Sequence, residues 1–243
     1  MLFRSADVVA LELEHKAAAV RAQLAAALGQ HGRLVYSNSL GAEAMVLTDI
    51  IWSYLPQIEI FSIDTGRLYE ETYEVLEKLQ RRYQRTIRVV YPDAQGLERL
   101  VAQQGVNGFY HSLEARLECC RIRKVEPFKR AIAGFPAWIT GVRREQSAAR
   151  AHGEAVEWDV EHGLYKISPL LEWTEAEVWQ YIRARKLPYN RLHDRQFPSI
   201  GCSPCTRAIQ PGESRRAGRW WWEQAESREC GLHPRAAPAA VPA

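Results

Sequence analysis

The residues able to do chemistry gather towards the C-terminal end of the chain. From Ser199 to His233 it reads S-I-G-C-S-P-C-T-R-A-I-Q-P-G-E-S-R-R-A-G-R-W-W-W-E-Q-A-E-S-R-E-C-G-L-H and holds three of the five cysteines. Cys202 and Cys205 form a C-x-x-C pair, the spacing at which two thiolates grip one metal centre or close one disulfide. Cys230 stands apart, with Gly231 beside it and His233 close by. Between them lie Arg215, Arg216 and Arg219, then Trp220, Trp221 and Trp222. Guanidinium forks match phosphate and sulfate oxygens, so the stretch combines a metal-type pair, an anion site and a lone thiol. The other two cysteines, Cys119 and Cys120, are adjacent, a placement that strains a disulfide. They read either as two buried apolar cysteines or, given Arg121, Arg123 and Lys124 beside them, as thiolates favoured by positive charge.

These groups sit in an ordinary globular composition. The 243 residues suffice for one large α/β domain or two small ones, and the apolar share of 47% and charged share of 25% allow a sizeable core without staples. A net charge of +3 does not mark a nucleic-acid binder, so any anion site must come from local clustering. Five cysteines are too few for a disulfide scaffold. Their odd number and paired placement suit a reducing cytosol, a metal site and one spare thiol. No apolar run approaches the length of a membrane span. Asp7, Glu12 and Glu14 interrupt the apolar N-terminal stretch, against a secretory signal.

The elements that must position the chemistry alternate between two periods. Residues 6–28 are alanine-rich with helical spacing and predict an amphipathic helix ended by Gly29. A strand over Arg33 to Ser37 runs into S-N-S-L-G-A-E and an apolar helix. A strand, a small-residue loop and a helix start can point free N–H groups at a phosphate, although an ordinary strand–helix turn has the same look. A second strand, Gln57 to Ser62, ends in Asp64, Thr65, Gly66 and Arg67 before a helix over 69–83; strand C-termini are where open parallel sheets bind ligands. Further strands are expected at 86–91 and 137–140, with a short helix over 96–104 between them. The last of these strands leads to G-V-R-R-E-Q-S-A-A-R, whose Arg143, Arg144 and Arg150 suit either an anion or solvent. A hairpin over 156–167 and a capping box at Thr174 to Glu177 opening a helix follow. The fold class is α/β, a doubly wound, mostly parallel sheet. The Pro/Ala-rich tail over 234–243 reads as disordered.

Taken in order, S-N-S-L-G-A-E, I-D-T-G-R-L, C-C-R-I-R-K-V-E-P, T-G-V-R-R-E-Q-S, P-Y-N-R-L-H, G-C-S-P-C-T-R, G-R-W-W-W-E and E-C-G-L-H resemble the assimilatory adenylyl-sulfate reductases, relatives of phosphoadenylyl-sulfate reductase. Each motif alone is weak; the ordered set spans most of the chain. The resemblance implies the ATP pyrophosphatase (adenine nucleotide alpha hydrolase-like) fold. It implies one reductase domain over 1–233, with a mobile catalytic segment from about 206 to 233. It further implies a [4Fe-4S] cluster on Cys119, Cys120, Cys202 and Cys205, although four thiolates would also suit zinc. By the same resemblance Ser37, Ser39, Gly41 and Glu43 belong to the nucleotide loop and Asp64, Thr65 and Gly66 to a second nucleotide motif. Arg150, Arg216 and Arg219 match substrate-binding arginines, and Arg143 and Arg144 share the loop of Arg150. Lys124 lies near cluster and substrate, and Cys230 is the catalytic cysteine, with His233 near it. Ala44 departs from the family, which commonly has Asp there.

The expected reaction is thiolate attack by Cys230 on the sulfur of adenylyl sulfate, expelling AMP and leaving S-sulfocysteine. A thiol of thioredoxin or glutaredoxin then releases sulfite. Family members without the cluster usually take the 3'-phosphorylated substrate, so that reaction is the nearest rival. A tRNA-thiolating enzyme would need a loop like S-G-G-x-D-S and a broad basic surface. A thioredoxin-like dithiol would place its C-x-x-C after an early strand, and a non-catalytic zinc module would leave the other motifs without a role. Neither a nucleic-acid nor a membrane partner is expected; a cytoplasmic enzyme is, and homo-oligomerisation is left open.

Overall fold

Short runs such as L-V-Y-S and E-I-F-S-I are rich in β-branched and aromatic residues and too brief for helices. They become β1 (Leu34–Ser37) and β2 (Glu59–Ile63) of a six-stranded sheet with β3 (Arg88–Val90), β4 (Ala137–Ile139), β5 (Val156–Asp159) and β6 (Leu164–Ile167). The computed structural model describes residues 3–146, 150 and 152–224. The strand order is β3-β2-β1-β4-β6-β5. β1 runs parallel to β2 and β4, with Tyr36 opposite Ile60 and Ile139, and β4 runs parallel to β6. β5 and β6 form the expected antiparallel hairpin, Trp158 opposite Tyr165. The sheet is therefore a mostly parallel α/β sheet. Its order reverses at β1, and the loops after β1 and β4 flank that switch point, where such sheets bind ligands.

The chain divides into two compact units, one comprising 1–62, 74–88 and 134–190, the other 63–73, 89–133 and 191–243. In the first unit, α1 (Phe3–His31) buries Leu13, Ala17, Val20, Leu24 and Ala27, the three-and-four spacing of a single helical stripe. The helix passes through Gly29, where the sequence suggested a stop, because one interior glycine costs only about 1 kcal/mol. It ends instead at Gly32, whose φ of +74° is a conformation that side chains resist. α2 (Ala42–Tyr54) is buried on nearly every side. Its buried Asp49 accepts hydrogen bonds from the Tyr181 hydroxyl at 2.6 Å, from Arg185 Nε at 3.2 Å and from the Tyr83 hydroxyl. This satisfies a charge that would otherwise be costly. Burial, then the Asp49 carboxylate, keeps both tyrosines protonated well above their ordinary range. α7 (Glu175–Ala184) opens on the expected capping box, Glu177 N–H donating to Thr174 Oγ and Thr174 N–H to Glu177.

α3 (Glu70–Tyr83) spans the division between the units. In the second unit, α4 (Ala94–Gln104) is capped by Asp93 and α5 (Leu113–Cys120) by Ser112. α5 continues through a π-helical turn, Arg121–Val125, into α6 (Glu126–Ile132). Pro127, which lacks an N–H, falls where the ladder changes pitch. Such π-turns are frequent at functional sites. The remaining described segment, 191–224, is held by short turns and one isolated bridge, Thr206 to Arg219.

Candidate functional site

In the first unit, the loops at the switch point are shaped by their own side chains. Asn38 accepts from Leu40 N–H at 2.7 Å and donates to Thr48 Oγ at 2.8 Å, and Gly41 N–H reaches Ser39 Oγ at 3.4 Å. Leu40 is held at a φ of +58°, a costly conformation for a branched residue. Glu43, in the first turn of α2, accepts from Arg143 Nε at 2.8 Å and Gln146 Nε2 at 3.1 Å. Arg143 also reaches Glu145 at 3.0 Å and is 1% exposed. Gly141 keeps this approach open, since a Cβ there would stand 3.2 Å from Glu43 Cβ. Arg144 pairs with Glu172, and Arg150 donates to Gln146. Two of the three arginines in this loop thus face carboxylates. Ala44 faces the core, so position 44 contributes no polar group to the loop.

The second unit brings both cysteine pairs to one pocket, lined by Cys119, Cys120, Cys202 and Cys205 with Arg67, Phe109, Arg116, Arg123, Lys124 and Pro204. Helical geometry explains half of this. Residues 116, 119, 120, 123 and 124 recur at three and four positions and share one face. The C-x-x-C is pinned from the loop after β2. Thr65 Oγ lies 3.3 Å from Cys202 Sγ, and Ser203 N–H donates to the Arg67 carbonyl at 2.8 Å. The Tyr69 hydroxyl reaches the carbonyls of Ser203 and Thr206 at 3.1 and 2.6 Å. Asp64 accepts from Gly66 N–H at 2.7 Å and from the Tyr73 hydroxyl, while Gly66 takes a φ of +70°. Arg123 Nη1 donates to the Thr65 carbonyl at 2.6 Å. The I-D-T-G segment therefore touches the cysteine pocket directly.

All four thiols are free of disulfides. Burial pushes the Cys205 thiol up to about 12, reinforced by Cys202 and Cys120 and opposed by Lys124 and Arg219. Burial likewise raises Cys119, with Arg123 and Arg67 opposing. Three buried N–H donors around the pocket, Arg123 Nε, Arg219 Nε and Trp220 Nε1, have no hydrogen-bond partner. Four thiols needing a cation and three donors needing an acceptor fit a metal group that is itself sulfur-rich and anionic overall. Among the described residues, no group of three or more His, Cys, Asp or Glu is spaced to share one metal ion. The thiols ring a pocket instead.

Arg219 is buried, not solvated. Its Nη1 donates to Ser199 Oγ at 3.2 Å and the Ile200 carbonyl at 3.3 Å, and its guanidinium lies 4.6 Å over the Trp220 ring. Gly201 makes room: a Cβ there would meet Arg219 Nη2 at 2.3 Å. Arg216 and Arg219 do not share a helical face, because 214–219 forms successive reverse turns, Ala217 N–H to Ser214 O and Arg219 N–H to Arg216 O. Trp220 is 1% exposed and Trp222 meets Tyr110 edge-on, so packing accounts for these two rings. Cys230 and His233 lie outside the described residues, as does the tail over 234–243. Phe109, Arg116 and Glu223 were missed in the sequence, where nothing short-range marks them. No helix among the described residues is long and apolar enough to cross a membrane.

The phosphoadenosine phosphosulfate reductase domain family matches residues 33–208. The adenosine 5'-phosphosulfate reductase of Allochromatium vinosum is 54% identical over 202 residues, covering 83% of this chain and 79% of that protein. The enzyme of the same name from Burkholderia cepacia is 48% identical, over 94% of this chain and 92% of its own. Among solved structures, phosphoadenylyl-sulfate reductase from Candida auris superposes with a TM-score of 0.67 at 25% identity, covering 81% of this chain and 96% of the other.

Proposed function

The chain belongs to the phosphoadenosine phosphosulfate reductase family, and from that premise we propose that it is an adenylyl-sulfate reductase, forming sulfite and AMP in sulfate assimilation. The observation that carries this reading is the pocket ringed by Cys119, Cys120, Cys202 and Cys205 with three unpartnered N–H donors around it. Its relatives named adenosine 5'-phosphosulfate reductase, aligned over most of the chain, favour the substrate without a 3'-phosphate. The four cysteines would hold a [4Fe-4S] cluster, which supplies a fixed local charge that orients the surrounding cations.

The remaining work falls to the chain's own groups. Cys230 thiolate attacks the sulfur of adenylyl sulfate; the sulfur–oxygen bond to the phosphate breaks, AMP leaves, and S-sulfocysteine remains. Lys124, Arg216, Arg219 and His233 supply positive charge near the transferring sulfonyl and phosphoryl oxygens. Ser37, Ser39, Gly41 and Glu43, together with Asp64, Thr65 and Gly66, form the nucleotide-binding loops, and Arg143, Arg144 and Arg150 frame the first of them. A thioredoxin thiolate then attacks Cys230 sulfur and displaces sulfite. Its second thiol resolves the mixed disulfide, leaving thioredoxin oxidised and Cys230 reduced. The setting is the cytoplasm, whose reducing poise keeps the five cysteines out of disulfides, four for the cluster and Cys230 for attack.

The test is sulfite release by the purified protein with reduced thioredoxin and each nucleotide in turn. Adenylyl sulfate gives the higher kcat/KM. A clear preference for the 3'-phosphorylated form overturns the substrate assignment.

A further inference from the structure

We propose that Arg116 is a positioning residue that ties the cysteine pocket, through a buried fork to Glu223, to the root of the segment carrying Cys230. The proposal rests on the reading of Cys230 as the sulfonyl acceptor. Arg116 lies one helical turn before Cys120 on α5, and its side chain is 1% exposed, that of Glu223 7%. Its Nε donates to Glu223 Oε1 and its Nη2 to Oε2, both at 2.8 Å. A lysine cannot reproduce this two-pronged geometry. The guanidinium also lies 4.8 Å over the Trp220 ring and lines the cysteine pocket together with Cys120. One side chain therefore borders the cysteine pocket, faces the ring packed against it and holds the carboxylate that follows the three tryptophans.

A buried ion pair is a weak device for stability, because apolar residues of the same volume often serve as well or better. What the fork supplies is a single geometry. Glu223 stands seven residues before Cys230, so a thiol tethered there reaches at most about 25 Å. Without the fork, Glu223 no longer fixes where the chain leaves Trp220, and the effective concentration of the Cys230 thiol at the substrate sulfur is predicted to fall.

The test compares Glu223→Gln and Arg116→Lys with wild type in the full-length, cluster-loaded protein. Five quantities are read: iron and sulfide content, Tm, the KM for adenylyl sulfate, the single-turnover rate of Cys230 sulfonation at saturating adenylyl sulfate, and the mobility of a nitroxide attached to Cys230. Both variants keep their iron and keep KM within about threefold, sulfonate Cys230 at least about tenfold more slowly, and show a more mobile nitroxide. An unchanged sulfonation rate and nitroxide spectrum in a variant whose Tm has fallen overturns the proposal, since the fork then only stabilises. Loss of iron in either variant also overturns it, because Arg116 would then serve the metal thiols and not the segment. If wild type itself gains no sulfonate on Cys230, the functional reading fails, and the nitroxide comparison still decides whether the fork fixes the root.

Discussion

At the residue scale, burial disfavours a bare thiolate at Cys205 and at Cys119. Cys205 is raised to about 12, first by burial and then by its cysteine neighbours. A raised thiol pKa leaves the group neutral throughout the physiological range; the thiolate appears only as pH climbs towards that value, unless a metal cation reverses the balance. In metal-free protein, alkylation of Cys205 by iodoacetamide should therefore keep rising about tenfold per pH unit well beyond pH 9, where an unperturbed thiol has levelled off. A plateau near pH 9 would show that the thiol is not perturbed. The identity of the cysteines was legible in the sequence because residue type and spacing carry it. The state of the cations was not. Arg143 reads as an anion ligand until its partner Glu43, far away in the chain, comes within 2.8 Å, and Arg116 reads as an unremarkable helical arginine until Glu223 folds onto it.

At the element scale, most of the architecture follows local rules, and the exceptions have local reasons. The capping box at Thr174 was readable from four letters, and it forms. Thr174→Ala should lower stability by about 1 kcal/mol, measured as a shift in the denaturant midpoint with unchanged slope. No shift would mean that tertiary packing alone holds the start of α7. The strands were readable from short β-rich runs, and the hairpin from two such runs around Gly163. The end of α1 was misplaced because glycine within a helix and glycine after one look alike in sequence; only Gly32 has the positive φ that makes glycine necessary. Arg216 and Arg219 are three apart, a spacing that a helix would place on one face, but Pro211, Gly212 and Gly218 favour turns there. The π-turn that carries α5 into α6 leaves no simple periodic signature, since it changes pitch for only a few residues.

At the scale of the whole molecule, sheet order and cysteine pairing are the long-range facts. The order β3-β2-β1-β4 sets the loops after β1 and β4 at the switch point, and alternation of strand and helix along the chain anticipated a sheet of this kind. The four thiols come from two stretches more than 80 residues apart, so their meeting was legible only through the ordered set of motifs and never through spacing. The central claim is that sulfur leaves the nucleotide onto the chain's fifth cysteine. It is tested most directly by mixing the reduced, cluster-loaded protein with adenylyl sulfate in the absence of any reductant, then measuring AMP release and the mass of the peptide that contains Cys230. The mechanism predicts about one AMP per chain and a peptide heavier by one SO3 group, a modification lost as sulfite when reduced thioredoxin is added. AMP and sulfite appearing together while the Cys230 peptide keeps its unmodified mass would contradict it.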